Sequence, residues 1–437
     1  MAPHTMKRGI RVALAATTAV ALGLTFSGCS KAGGSASTEA ADKGGTLKIY
    51  SDNPQWKDGF IAAGEEIKKT TGWDFDPTGL STTENYTSTV LASLPTKKTG
   101  DIIKWWSGKQ IQGLAATGQL EDLTSIWDKA VADGNISNDL RSFYEFDGKV
   151  YALPFVQSYW VMFYSKTLFK QAGIAGVPKT WAEFEAAAEK LKGIGAPMCT
   201  GQTEGWTPFI PFEMFLGAVS PQAYNDLTSN KIKWDDASVK EAMSIWKKWI
   251  ASGWTTAPDT KTFDCMTAMK AGKVGMQPIG TWANGLYKTA GLTADEYGAF
   301  LVPSTKDGAA PGLFLEGGAI AIPKNAPNKA GALKAAAAWL TPEVQAIWSE
   351  KATGDSSPNA KVKNADPIIA DIVAQIAAAK PTLLNRYYES LPPKLMQATL
   401  PILGGFMVDS DADKALGDIQ KVADTEWKAW EANPSLG

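Results

Sequence analysis

Thr46-Leu47-Lys48-Ile49-Tyr50, Trp73-Asp74-Phe75 and Asp101-Ile102-Ile103-Lys104-Trp105 are three short strand-like runs separated by two stretches with helical spacing. The first spacer, Trp56 to Lys69, stops at Thr71-Gly72, where a glycine can take the left-handed conformation that closes a helix. The second runs from Glu84 to Leu94. Strand and helix in alternation define an α/β protein, and parallel strands joined by helices cross over right-handedly. Ligands of such sheets sit beyond the carboxyl ends of the strands. On that topology Ser51-Asp52-Asn53, Ser81-Thr82 and Trp105-Trp106-Ser107 share one rim, and Asp52 and Asn53 become ligand candidates.

Farther along, Thr180-Trp181-Ala182-Glu183 is a capping box, in which the threonine hydroxyl and the glutamate satisfy free amides at the start of a helix running to Leu191. Val239, Met243, Trp246 and Ile250 mark one more amphipathic helix, and Thr341-Pro342 starts another with Val344 and Trp348. The tryptophans at these helical spacings belong to the core.

The amino terminus reads as an export signal. Lys7-Arg8 precedes an apolar stretch from Val12 to Phe26, and Thr25-Phe26-Ser27-Gly28-Cys29 ends it with small residues before a cysteine. Residues 1–28 are thus expected to be a lipoprotein signal peptide with Cys29 as the lipid-attachment site, although Phe26 departs from the usual leucine. An ordinary secretory signal is the alternative. Residues 29–43, rich in Ala, Gly and Ser, carry no periodic apolar face and form a flexible tether. The expected location is extracytoplasmic, anchored to the cell membrane.

The remaining chain is longer than one compact core usually holds, so two lobes are expected. The formal charge is −2, and loss of Lys7, Arg8 and Arg11 with the signal takes it to −5. No basic stripe with interleaved aromatics points to nucleic acid. The single histidine, His4, lies in the signal. Its loss removes Ser-His-Asp and Cys-His chemistry and the commonest transition-metal ligand, so neither a metal nor another cofactor is called for. Cys199 and Cys265 either form a disulfide, as cysteine pairs in an oxidising compartment tend to, or stay as two buried thiols.

Seventeen tryptophans make their sorting the main route to function. Trp105 and Trp106 run into a polar Ser-Gly-Lys loop; adjacent strand residues point to opposite faces, so only one of them can face the crevice. Trp206 lies in Thr203-Glu204-Gly205-Trp206, and Trp282 sits between Gly280 and Gly285. Exposed indoles beside Asp, Asn, Glu, Lys and Arg suit a sugar, whose C–H faces lie on rings while its hydroxyls need hydrogen bonds. Burying about 100 Å² on one ring contributes roughly 2.5 kcal/mol, so two or three rings with hydrogen bonds reach micromolar affinity.

Asp147-Gly148-Lys149-Val150-Tyr151-Ala152-Leu153-Pro154, Phe163 to Phe169 and Pro178 to Phe184 resemble the extracellular solute-binding proteins of sugar-importing ABC transporters, of maltose-binding-protein type. Ala268 to Met276, Gly280-Thr281-Trp282 and Gly317 to Lys324 follow in the same order. The resemblance implies a two-lobed periplasmic-binding-protein-like fold with a ligand cleft between lobes joined by several hinge crossings, near Pro154, near Pro303 to Leu313 and near Asn364. Residues 44–154 and 310–364 would form the first lobe, and 155–309 with 365–437 the second. By matching position, Trp105 and Lys109 resemble the first lobe's aromatic and basic sugar contacts, and Trp282 the second lobe's stacking tryptophan. Glu204 and Trp206 fall where that lobe supplies an acid and an aromatic, and Tyr387 or Tyr388 where another ring is expected. Gln157 and Ser158 stand where relatives can carry an acid.

The implied function is capture of a di- or oligosaccharide by hinge closure and delivery to permease subunits, by a monomer that changes nothing in its ligand. A separate ATPase would drive transport, since this chain has no phosphate loop. The rivals are a glycoside hydrolase pairing Glu204 with Asp264 or Glu316, and a non-sugar solute receptor on the same fold.

Overall fold

Leu47 and Ile49 stand two residues apart, so one face of a strand buries both completely. Phe60, Ala63 and Ile67, spaced for one side of a helix, cover that face from Lys57–Thr71 and are equally buried. Gly72 ends this helix in the left-handed conformation (φ 78°). The computed structural model describes residues 44–80 and 82–434. The expected signal peptide (1–28), Cys29, the tether up to residue 43 and Ser81 lie outside the described residues.

The strands in chain order are β1 (Gly45–Ser51), β2 (Trp73–Gly79), β3 (Ile102–Trp105), β4 (Glu145–Phe146), β5 (Lys149–Val150), β6 (Leu153–Pro154), β7 (Ser158–Ser165), β8 (Ala196–Met198), β9 (Val274–Gly280), β10 (Tyr297–Phe300), β11 (Gly312–Glu316), β12 (Ala319–Ala321) and β13 (Thr382–Asn385). The first sheet has the order β2-β1-β3-β12-β6, with β1, β2 and β3 parallel. The second has the order β13-β11-β7-β9-β8, and β10 pairs the far half of β7. This is the mixed α/β, two-sheet architecture expected from the alternating pattern. The capping box forms as expected, with Thr180 and Glu183 opening the helix Trp181–Lys192.

The chain passes between the sheets at three places. The first lies between β6 and β7. The second is Gly317-Gly318, between β11 and β12. The last follows residue 354 and precedes the helix Pro367–Ala379. Residues 312–316 were expected in the first lobe, but β11 pairs with β7 and β13 and so belongs to the second sheet. The physical reason is in the glycines. A Cβ at residue 317 would lie 2.1 Å from the Tyr144 hydroxyl, and Gly318 has φ +46°, so the backbone turns here and not at the proline-bearing segment upstream.

The crossings are bonded side by side. Phe155 N and Val156 N donate to Gly317 O at 3.3 and 3.2 Å, and Gln157 N donates to Ser356 O at 3.3 Å. Phe155 anchors the first crossing in the core, stacked on Trp339 at 6.2 Å and edge-on to Trp348 at 4.8 Å. The Trp339 indole donates to Pro154 O at 3.0 Å.

Cys199 and Cys265 are joined in a disulfide with Cα atoms 6.0 Å apart. It staples the loop after β8 to the helix Asp264–Lys270, and Thr203 Oγ1 adds bonds to the carbonyls of Asp259 and Thr260 at 2.9 and 3.1 Å. A 66-residue separation corresponds to about 4 kcal/mol of loop entropy. Replacing both cysteines by serine should lower the unfolding free energy by up to that amount, read from the urea midpoint without reductant. An unchanged midpoint would show that the staple does not restrain the unfolded chain.

Candidate functional site

The carboxyl ends of three strands in the second sheet converge. β9 runs into Trp282, β11 ends on Glu316, and β13 runs into Arg386. The register sets Glu316 opposite Ser158 at the start of β7, and Trp160 two residues on opposite Gly280. Glu316 Oε2 then accepts from Trp160 Nε1 and Trp282 Nε1, each at 3.1 Å, and is ion-paired with Arg386, whose Nη1 lies 3.0 Å away. The other edge of the guanidinium reaches Glu389, with Nε to Oε2 at 2.7 Å and a second bond from Nη2 to Oε1. Burial would lower the Arg386 pKa, but Glu316 and Glu389 more than reverse this and drive it up. Burial pushes Glu389 up to about 7 even against Arg386's attraction, and Glu213 well above the carboxylate range.

Rings surround this array. Trp160, Trp206 and Trp282 lie 6.4 to 6.5 Å from one another, and Phe263, 45% exposed, is 6.4 Å from both Trp206 and Trp282. The guanidinium carbon sits 5.3 Å from the ring centres of both Trp160 and Tyr388. From the first sheet, β1 and β3 bring Asp52 and Trp106. Lys104 Nζ bonds Asp52 Oδ2 at 3.1 Å and lies 4.1 Å over the Trp106 ring. Trp106 meets Tyr388 at 5.8 Å, and Gln110 Nε2 donates to Tyr388 O at 3.0 Å. Gly108 permits this approach: with φ +61°, it lies so close to Glu389 O that a Cβ would fall 2.3 Å away. The arrangement is a ring-lined, hydrogen-bonding site at the strand ends, with every nearby cation already paired to a carboxylate.

A family model for bacterial extracellular solute-binding proteins matches residues 62–375. The chain belongs to this family. An uncharacterized ABC transporter extracellular-binding protein of Pyrococcus horikoshii is 26% identical over 338 residues, 74% of this chain and 73% of that protein. The multiple sugar-binding protein of Streptococcus mutans is 28% identical over 212 residues, 45% of this chain and 48% of its own length. Among solved structures, the bacterial solute receptor AcbH, described as exclusive for β-D-galactopyranose, superposes with a TM-score of 0.76 at 20% identity. It covers 88% of this chain and 99% of its own. A chitin oligosaccharide binding protein gives 0.74 at 19% identity, with 88% and 99% covered. These likenesses show the two-lobed fold of the family. No helix among the described residues is long and apolar enough to cross a membrane.

The expected site residues of this family member divide into two groups. Trp206, Trp282 and Tyr388 stand at the cage, and Asp52 and Trp106 at the facing strand ends. Glu204, two residues before Trp206, has a buried Oε2 without a hydrogen-bond partner. The others are engaged elsewhere. Trp105 is 4% exposed and donates to Gln110 O at 3.1 Å, so it is core. Asn53 caps a short turn through Gln55 N at 2.9 Å. Lys109 lies over Trp427 and Trp430 of the last helix at 5.2 and 5.8 Å, where burial lowers its pKa. Tyr387 is fully buried, stacked on Phe209 with its hydroxyl on Thr399 Oγ1 at 2.7 Å. Gln157 bonds the Tyr159 hydroxyl, and Ser158 bonds buried Asp355 at the crossings.

Trp160, Lys104, Phe263 and Arg386 are not among the expected residues. Trp160 and Lys104 sit inside apolar strand runs, where nothing local separates them from core. Arg386 carries a readable signal, a cation directly after the strand-like Thr382-Leu383-Leu384-Asn385, which is the strand-end position already used for Asp52.

Arg386→Met should cost about 3–5 kcal/mol of stability, because it leaves two buried carboxylates without their cation. Calorimetry at neutral pH checks this, and a loss below 1 kcal/mol would mean that the pairing is nearly neutral. Burial likewise raises Asp355 from 3.8 to about 7, the bonds from Ser158, Thr281 and Ser356 offsetting it only in part. Its proton is therefore held in the folded state and released on unfolding between these values, so its contribution to stability is present below about pH 4 and lost as pH rises to about 7. Asp355→Asn should flatten the unfolding free energy across that window relative to wild type.

Proposed function

We propose that this chain is the solute-capturing subunit of an ABC importer for a neutral di- or oligosaccharide, held outside the cytoplasm as a monomer by a lipid on Cys29. The observation that carries this is the cage itself. Trp160, Trp206 and Trp282 surround an acceptor, while Arg386 and Lys104 are each already bound to carboxylates. A phosphate or carboxylate ligand would have to break one of these pairs; a hydroxyl-rich neutral ligand need not. Three partly exposed rings, Trp206, Trp282 and Phe263, 6.4 to 6.5 Å apart, offer more apolar surface than one pyranose covers, which favours a ligand of more than one unit. The sugar-binding names of relatives, among them a maltodextrin-binding protein of Bacillus subtilis, agree with this class.

The lobes would be residues 44–154 with 319–354, and 158–316 with 367–434, turning about the three crossings. Trp106 and Lys104 on one wall face Tyr388 and Arg386 on the other, so a ligand touching both walls binds the closed form more tightly and shifts the population toward it. The closed pair is what permease subunits would recognise. Nothing in the proposed cycle requires the ligand to change, and the two indole bonds and the ion pair on Glu316 Oε2 support an acceptor role over that of a hydrolase's proton-donating acid.

Titrating the fragment from Ser30 onward with mono-, di- and oligosaccharides should change tryptophan fluorescence saturably, with the sugar recovered intact. Trp282→Ala should weaken binding on the order of fifty-fold, from the loss of about 100 Å² of stacking. Lys109→Met should stay within twofold of wild type. Breakdown products would favour the hydrolase, and no response across the panel would remove sugars as the ligand class.

A further inference from the structure

Glu316 holds the most constrained carboxylate in the cage. Three separate pieces of chain hold it: Trp160 from β7, Trp282 from the turn after β9 and Arg386 from the turn after β13. Both indoles donate to the same oxygen, Oε2, at 3.1 Å, and the guanidinium is ion-paired with that oxygen at 3.0 Å. Rotating the carboxylate would break them together, so its orientation is fixed before any ligand arrives. Oε1 takes none of these bonds, and 16% of the side chain remains accessible. Arg386 cannot neutralise Glu316 alone, because its Nε and Nη2 are committed to Glu389. A preorientated acceptor, part of its side chain accessible, thus stands beside the aromatic rings, one residue before the Gly317-Gly318 crossing.

We propose that Glu316 is a specificity-determining residue of the binding site, its Oε1 accepting a hydrogen bond from one hydroxyl of the bound sugar. The proposal rests on the sugar-binding reading above. The two indole N–H groups, which could have served the ligand as donors, are spent on holding this acceptor. Recognition at this point therefore demands a donor from the ligand. A sugar in which that hydroxyl is absent or methylated leaves a partly buried carboxylate oxygen unmet, and a site built to bond a hydroxyl rejects such an analogue strongly. The same oxygen disfavours ligands with a phosphate or carboxylate at that position.

The test uses the sugar found by titration, together with its deoxy and O-methyl analogues at each hydroxyl in turn. Wild type should bind one deoxy analogue about ten- to a hundred-fold more weakly than the parent. In Glu316→Gln, the amide oxygen is needed by the two indole donors and the guanidinium, which turns the NH2 toward the ligand and exchanges an acceptor for a donor. This variant should bind the parent at least about tenfold more weakly and treat parent and that deoxy analogue within about threefold, while discrimination at the other hydroxyls persists. A merely structural role would weaken every ligand alike. Full retention of the discrimination in Glu316→Gln overturns the proposal. If the variant does not fold, wild type alone decides: no hydroxyl whose removal costs more than about threefold also overturns it. Failure of wild type to bind any sugar overturns the functional reading itself, a distinct result.

Discussion

A guanidinium taken out of water has to be met by carboxylates, and Arg386 is met by two. That requirement ties together parts of the chain far apart in sequence. Glu316 ends one strand, Glu389 lies in the short helix Tyr387–Ser390, and Trp160 and Trp282 join through Glu316. Glu213, across from Arg386, accepts from Tyr387 N at 2.8 Å and is pushed by burial toward its protonated form. The second sheet's ligand-facing edge is therefore one hydrogen-bonded unit. Such a unit is costly to assemble and stiff once made, which suits a site that must present rings at fixed spacing.

The hinge obeys a different logic. The first two crossings are only a few residues, the third runs from residue 355 to 366, and they are bonded side by side, so the proposed rotation would be shared among them. Phe155 fixes the first in an aromatic core with Trp339 and Trp348, while Gly317-Gly318 supplies the second with backbone freedom. Asp355, buried against Ser158, fastens the third to the start of β7. Glu316 stands one residue before the Gly317-Gly318 crossing, so in the proposed cycle a ligand bonded to its carboxylate would act next to the hinge.

The tryptophans show how one residue type serves two ends. Trp127, Trp246, Trp249 and Trp339 are wholly buried and fill core volume. Trp206 and Trp282 are half-buried, with the disulfide between Cys199 and Cys265 bracing the loops that carry Trp206 and Phe263. Bracing these loops keeps the outer rings ordered in the absence of ligand and reduces the entropy that binding would otherwise cost.

Length and an ordered resemblance along the chain implied the two-lobed fold and the role of Trp282; local patterns determined the alternating strands and helices, the capping box at Thr180 and the strand-end position of Asp52 and Trp106. Each of these local features depends on residues within a few positions of one another, where periodicity and turn chemistry act. Tertiary structure decided which rings and charges face the site. Trp105 and Tyr387 pack into the core, their neighbours Trp106 and Tyr388 meet each other across the strand ends, Lys109 is taken up by the last helix, and β11 joins the second sheet. The partners that settle these choices lie dozens to hundreds of residues away: Trp160 meets Glu316 across 156 positions, and Gln110 meets Tyr388 across 278. Burial and pairing over such distances are set by the packed whole, and no local run of sequence contains them.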